Sequence, residues 1–374
     1  MRFAVFTHVD HVFENHNYYG YGPYVKEMNI WFKYADEVQI VAPLSNRGLS
    51  SIDLPYLHSN LKFKQIPIFD IVSLRNAFKT LLVLPILFWN VFLSMLWADH
   101  IHLRCPGNVG LIASFVQILF PWKKKTAKYA GNWDPKAKQP LSYKLQKWIL
   151  SNAFLTRNMQ VLVYGEWVKQ TRNIKPFFTA SYSEKEIKNL KFKIQNSDSL
   201  SPIVFLFVGT LSHGKEPLYA IELVEEFAKK KHKVALHLYG DGILKNSLSN
   251  YVLFNKLDEI VFFHGNQEEK VIKEAYQNAN YLILPSRSEG WPKVVAEAMF
   301  WGCIPVVTPV SCVPFMLNYG ERGIVMAKKI QNDTKQIIEL INDKEKKDQM
   351  SRKAMQWSQK YTLEYFEEEI SKLM

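Results

Sequence analysis

Two carboxylates, Glu289 and Glu297, stand eight residues apart in a stretch running Leu284-Pro285-Ser286-Arg287-Ser288-Glu289-Gly290-Trp291-Pro292-Lys293 and on to Glu297. Carboxylates accept hydrogen bonds from sugar or ribose hydroxyls. Gly290 has no side chain, so a ligand can approach its backbone closely. The unpaired N–H groups and positive dipole end of a helix N-terminus favour an anion. Arg287 and Lys293 add positive charge to the same stretch. Together these residues suit a molecule with both hydroxyls and phosphates. The plainer reading is a strand–turn–helix carrying two solvated glutamates.

The elements that must position them are legible nearby. Tyr281 to Leu284 is an apolar strand. Pro292 suits the first position of a helix, where its missing N–H costs nothing. Val294, Val295, Ala298 and Met299 recur at helical spacing and face a core. Gly302 ends that helix, and Ile304 to Thr308 reads as the next buried strand. Upstream, Pro202 to Val208 is a strand running into Gly209-Thr210-Leu211-Ser212-His213-Gly214-Lys215. A lysine at a helix start is mildly disfavoured by the dipole, so Lys215 points to a ligand role. Two further strands end in Gly240-Asp241-Gly242 and in His264-Gly265.

The first half has the same alternation. Arg2 to Thr7, Val38 to Ala42 and Leu61 to Ile68 read as strands. Gly20 and Gly22 lie in a loop, Asp10 to Tyr24, ahead of a helix over 24–34. Such a loop, after the first strand of a doubly wound sheet, is a place for ligands. Thr126 to Ala130 is a strand followed by Gly131-Asn132-Trp133-Asp134, which makes Asn132 an acceptor-site candidate. Ser183 to Ser201 reads as a linker, dividing the chain into domains 1–198 and 199–355 with a final helical segment over 356–374.

With 374 residues and 48% hydrophobic content the chain can fill two cores. Its charge is uneven. Residues 1–198 carry 25 Lys plus Arg against 13 Asp plus Glu, whereas residues 199–374 carry 22 of each. A basic half beside a neutral half implies a polyanionic partner such as an anionic membrane surface or nucleic acid. No nucleic-acid-binding motif is present. Three cysteines without metal spacing suit a reducing, cytoplasmic setting. No signal peptide is read at the start, and no metal cluster is expected.

Thr80 to Ala98 holds no charged residue. It has the length of a membrane span. Pro85, Asn90 and Ser94 interrupt it, and strands that must share one sheet flank it on both sides. A helix lying in a membrane interface, or one buried in the core, fits better than a crossing. A second apolar piece, Leu111 to Trp122, ends in Lys123-Lys124-Lys125, a pattern suited to anionic headgroups.

The Glu289-x7-Glu297 stretch, preceded by Pro285-Ser286 and followed by Gly302-Cys303-Ile304-Pro305-Val306-Val307, resembles the signature of glycosyltransferase family 4. Gly209, Lys215, Gly240, Gly242, Gly265 and the Gly323-Ile324-Val325 strand match that family in the same order. The resemblance covers the second half well and the first half by layout. It implies a GT-B α/β fold: two Rossmann-like domains facing a cleft, with a C-terminal helix crossing back to the first. It also implies a retaining enzyme that moves a sugar from a nucleotide diphosphate donor to a hydroxyl.

By that resemblance, Glu297 binds the donor ribose, Glu289 the sugar, and Lys215 the diphosphate. Gly209, Thr210, Gly240, Gly265, Arg287, Gly290, Trp291, Pro292 and Lys293 line the donor site. Gly20 and Gly22 form the loop beneath the donor phosphates. Thr210 and Arg104 depart from the pattern, standing where the family has an arginine and a histidine. An arginine at 104 can hold a diphosphate or an acidic acceptor bidentately. The family's Gly-Gly-x-x-Glu segment is replaced by Ser311-Cys312-Val313-Pro314-Phe315. The basic, apolar first half points to a lipid-linked glycan acceptor at the inner face of the cytoplasmic membrane, in polysaccharide or lipopolysaccharide assembly, without cofactor or metal. A GT-B sugar-nucleotide epimerase and an inactive membrane-bound scaffold are the other readings.

Overall fold

The computed structural model of the protein describes residues 1–50, 52–67, 74–188 and 201–374. The chain forms two compact units, Met1–Phe178 with Glu367–Met374, and Thr179–Phe366. The division falls ahead of the expected 198/199 cut, because Ser181 and Tyr182 join the second unit. Ser181 Oγ donates to Glu297, and the Tyr182 ring packs on Phe300 and Trp301. Much of the expected linker, residues 189–200, lies outside the described residues, as does Ile68 at the end of the third expected strand.

The strands of the first unit are β1 (Arg2–Phe6), β2 (His11–Glu14), β3 (Asn17–Tyr21), β4 (Glu37–Ala42), β5 (Asp53–Pro55), β6 (Leu61–Gln65), β7 (His100–Cys105), β8 (Lys124–Tyr129), β9 (Met159–Tyr164) and β10 (Ile174–Phe177). Its helices are α1 (Gly22–Phe32), α2 (Leu74–Trp97), α3 (Asn108–Val116) and α4 (Leu141–Ser151). Seven strands form a parallel sheet in the order β10-β9-β8-β7-β1-β4-β6. The run Phe3–Phe6 is apolar along its length because both faces of a parallel sheet are covered, and β7 is buried throughout although it carries His100, His102 and Arg104.

The expected loop over 10–24 is instead a small antiparallel sheet, β2-β3-β5. Gly20 lies within β3 opposite His11. Gly22 opens α1, and its N–H donates to Ile52 O at 2.8 Å. A Cβ there would sit 2.5 Å from that carbonyl, so the glycine serves a close backbone approach.

The second unit holds β11 (Ile203–Val208), β12 (Val234–Tyr239), β13 (Val261–Gly265), β14 (Tyr281–Leu284), β15 (Ile304–Val307) and β16 (Ile324–Val325). They too are parallel, in the order β13-β12-β11-β14-β15-β16. This is a doubly wound arrangement whose strand order reverses between β11 and β14, where such folds bind ligands. The helices are α5 (Glu184–Lys188), α6 (Pro217–Lys229), α7 (Lys245–Phe254), α8 (Glu269–Asn278), α9 (Lys293–Phe300), α10 (Val313–Met316), α11 (Ile330–Asn342), α12 (Lys344–Ser358) and α13 (Leu363–Ser371). From Glu367 onward the chain belongs to the first unit, where Lys33 Nζ donates to Glu367 at 2.7 Å and Lys124 Nζ to Met374 O at 2.5 Å.

Along α2, Leu87, Val91 and Met95 are buried at helical spacing. Leu84, Ile86, Phe88, Trp89, Leu93 and Leu96 remain exposed, so this helix is neither wholly core nor wholly surface. No helix among the described residues is long and apolar enough to cross a membrane.

Candidate active site

The loops leaving β11 and β14 meet at the switch point. Arg287 N–H donates to Gly214 O at 2.9 Å, tying one loop to the other. Lys215 Nζ donates to Glu289 Oε1 at 2.5 Å. The Glu289 side chain is only 8% exposed and that of Lys215 29%. A carboxylate so far from water requires a partner of this kind. Two residues expected to act on one ligand are therefore in direct contact.

Arg287 is held elsewhere. Its Nε donates to Glu216 Oε1 at 2.7 Å, and Lys328 Nζ pairs with the other oxygen of that carboxylate. Glu216 precedes α6 with φ +50°, a left-handed conformation that is uncommon outside glycine. Its two cation partners belong to the loops after β14 and β16. Neither Glu216 nor Lys328 was anticipated from the sequence, since each gains its meaning from a contact distant in the chain.

Pro292 is the residue preceding α9 rather than its first turn, which Lys293 opens. Trp291 is buried, its ring 6.0 Å from Trp357 and 5.8 Å from Tyr361, and so packs into the unit's interior. The Gly290 carbonyl accepts from Ser311 Oγ at 3.2 Å and Cys312 Sγ at 3.1 Å. The off-pattern Ser311-Cys312 segment thus fixes the turn after Glu289. At the other end of α9, Cys303 N–H donates to Ala298 O and Gly302 N–H to Met299 O. This paired closure uses Gly302 at φ +81°.

Glu297 faces a different environment from Glu289. Ser181 Oγ donates to its Oε1 at 2.6 Å and Tyr276 OH to its Oε2 at 3.2 Å. Burial pushes this carboxyl up, partly offset by the Ser181 hydroxyl and by Lys293 one turn earlier.

Gly209, Gly240 and Gly265 stand at the carboxyl ends of three adjoining strands. Gly209 N–H donates to Tyr239 O at 2.9 Å and Gly240 N–H to Gly265 O at 2.8 Å. A Cβ on Gly240 would lie 2.1 Å from Gly209 O. Thr210 beside them is exposed. Tyr239 stacks on His264 with ring centroids 4.5 Å apart, and His264 Nε2 lies 2.9 Å from His237 Nδ1.

In the first unit, Arg104 is buried and pairs with Glu27 of α1, its guanidinium 5.1 Å from the Tyr24 ring centroid. Lys128 shares the same Glu27 at 3.0 Å. In this structure the partner of the Arg104 guanidinium is the buried carboxylate of Glu27. Asn132 Oδ1 accepts from Asp134 N–H at 2.9 Å, a local turn at the end of β8.

Of the three lysines after Trp122, Lys124 is exposed while Lys123 and Lys125 bond to backbone carbonyls. Lys123 Nζ donates to Leu96 O and Ala98 O, closing the end of α2. Lys125 is buried, donating to Gln117 O at 3.2 Å and Phe120 O at 3.0 Å, and burial pushes its ammonium down to about 8. These side chains satisfy orphan carbonyls at helix ends. The apolar surface itself stands, with Phe115, Leu119, Trp122, Leu141, Leu145 and Trp148 exposed near or on α3 and α4. No group of three His, Cys, Asp or Glu side chains able to hold a metal ion is found among the described residues.

Residues 188–357 match the family model described as glycosyl transferases group 1. The chain is 28% identical over 233 residues to an uncharacterized glycosyltransferase of Haemophilus influenzae, covering 57% of this chain and 65% of that one. Over 98 residues it is 36% identical to the O-antigen biosynthesis glycosyltransferase WclY of Escherichia coli, 26% of each chain. The chain thus spans between about a quarter and two thirds of these curated relatives. The crystal structure of HepE from Anabaena in complex with UDP and glucose superposes with a TM-score of 0.68 at 14% identity, covering 100% of this chain and 98% of that one. The α/β fold is similar to that of the GT-B glycosyltransferases, and residues 188–357 match the group 1 glycosyl transferases model.

Proposed function

We propose that the chain is a retaining, family 4 glycosyltransferase that moves a sugar from a nucleotide diphosphate donor to a hydroxyl of a lipid-linked glycan. The observation that carries this reading is the Lys215–Glu289 pair where the strand order reverses. Bond cleavage at the anomeric carbon leaves negative charge on the departing diphosphate and positive charge on the sugar. A cation and a carboxylate side by side match both, and groups placed where charge develops lower a barrier most. Lys215 neutralises the diphosphate. Glu289 binds the sugar hydroxyls and stabilises the anomeric centre. Glu297 accepts the ribose hydroxyls, and the open backbone at Gly209 and Gly265 admits the nucleotide. UDP and glucose bound to HepE, and the O-antigen role in the name of WclY, support a nucleotide-sugar donor and a surface-glycan setting.

In this reading the first domain takes the acceptor, the second the donor, and the final helix links them. No metal is required, because Lys215 supplies the positive charge at the leaving group. The exposed apolar side chains of α2, α3 and α4, with Trp89 and Trp148 among them, rest together with Trp122 ahead of β8 on the anionic inner face of the cytoplasmic membrane. A thermal-shift panel of UDP-, GDP-, ADP-, CDP- and TDP-sugars tests the donor reading. One nucleotide sugar must raise the melting temperature, since a ligand that binds only the native state stabilises it. No shift with any of them contradicts the reading.

A further inference from the structure

A carboxylate that is to accept a ribose diol must be held so that it keeps lone pairs free for the ligand. Glu297 is held on both oxygens by neutral hydroxyls of its own unit. Ser181 Oγ donates to Oε1 at 2.6 Å, and Tyr276 OH to Oε2 at 3.2 Å. Each carboxylate oxygen has two acceptor sites. One internal donor per oxygen therefore leaves one site per oxygen for a ligand hydroxyl. The donors come from separate places, Ser181 from the segment that opens the second unit and Tyr276 from α8. Both are immobilised. Tyr276 is fully buried, and Tyr182, next to Ser181, packs its ring on Phe300 and Trp301 at 4.9 and 5.1 Å, one turn beyond Glu297. Ser183 N–H donates to Glu186 and Leu363 N–H to Tyr182 O, which pins the backbone on either side.

On the donor-site reading of Glu297, we propose that Ser181 and Tyr276 are positioning residues that aim its carboxylate at the donor ribose and so set the preference for ribonucleotides over deoxyribonucleotides. Ser181 makes the shorter contact and carries the larger share. Neither residue touches the sugar being transferred, so neither governs which sugar is accepted.

Calorimetric titration of the full chain with UDP, GDP, ADP and CDP and their 2′-deoxy counterparts tests this. For the base that binds most tightly, the ratio of ribo to deoxy affinity is expected to fall about tenfold in Ser181→Ala, the loss of one hydrogen bond to a charged group. The deoxy affinity should hold, and Ser181→Thr, which keeps the hydroxyl, should restore the ratio. Glu297→Gln should reduce the ratio at least as far. If Glu297→Gln collapses the ratio while Ser181→Ala leaves it unchanged, the positioning role is overturned and the donor reading stands. If Glu297→Gln leaves it unchanged, or no diphosphate binds, the donor reading itself fails and takes the inference with it. Should Ser181→Ala not fold, Tyr276→Phe carries the same expectation at a smaller size, and an unchanged ratio there overturns the proposal equally.

Discussion

Removing either member of the Lys215–Glu289 pair should have opposite effects on ligand binding and unequal effects on stability. The pair closes at 2.5 Å with Glu289 8% and Lys215 29% exposed. Lys215→Met strands a carboxylate that has little water to turn to. Breaking a fully buried pair this way costs about 3–5 kcal/mol. Because Lys215 keeps nearly a third of its exposure, solvent screening brings the expected loss to roughly 1–3 kcal/mol. Glu289→Gln leaves a lysine that can reach water, so it should cost less than about 1 kcal/mol. The double variant should be less destabilised than the sum, since each change removes what the other leaves unpaired. Urea denaturation of the four proteins reads these differences. Titration with the best-binding nucleoside diphosphate reads the function. Lys215→Met should weaken it about tenfold or more, the loss of a charge-assisted contact to phosphate. Glu289→Gln should leave binding equal or tighter, because the carboxylate that competes with the diphosphate for the ammonium is gone. Equal weakening in both variants would refute this and reduce the pair to a structural tie between loops.

Other consequences follow from single contacts. Gly240→Ala places a Cβ 2.1 Å from the Gly209 carbonyl at φ +132°, so denaturation should show a loss of about 2–4 kcal/mol, combining strain and displacement. His11 and His100 are buried and held neutral, pushed down to about 4 and about 3. An unfolded histidine takes up its proton near pH 6.5, so the unfolded state gains protons first and stability falls as pH drops from about 6.5 towards 4. His11 alone contributes on the order of 3 kcal/mol over that window, and a flat urea midpoint between pH 6.5 and 4 would contradict its burial. Trp89→Ser with Trp122→Ser should release the protein from anionic vesicles in a sedimentation assay while leaving its fold intact; unchanged sedimentation counts against membrane contact. Lys125→Glu should instead unfold the first unit, since its ammonium caps Gln117 and Phe120 carbonyls.

The sheets were legible because parallel strands buried on both faces read as unbroken apolar runs, as in Ile203–Val208 and Tyr281–Leu284. The glycines at their ends marked where loops approach one another. What the sequence concealed depends on partners far along the chain. Residues 10–24 look like a loop because His, Asn and Tyr alternate without an apolar face; only β5, some thirty residues on, completes their small sheet. Lys125 and Lys128 look like surface charges because lysine is rarely buried; their carbonyl and carboxylate partners lie on other elements. Arg104 is of the same kind, matched to Glu27 across seventy-seven positions. The site was legible as a set of residue types and not as a set of pairs. Lys215 and Glu289 proved to be neighbours, whereas Arg287 proved to belong to Glu216 and Glu297 to Ser181 and Tyr276.

The most direct measurement is transfer itself. The wild-type chain and Glu289→Gln are incubated with the stabilising nucleotide sugar and a lipid-linked glycan extract, and both the released nucleoside diphosphate and the anomeric configuration of the product are followed. Acceptor-dependent release, a glycosidic bond with the donor's configuration, and loss of turnover in Glu289→Gln with nucleotide binding retained are expected. Inverted configuration, or turnover in Glu289→Gln equal to wild type, would contradict the proposed mechanism.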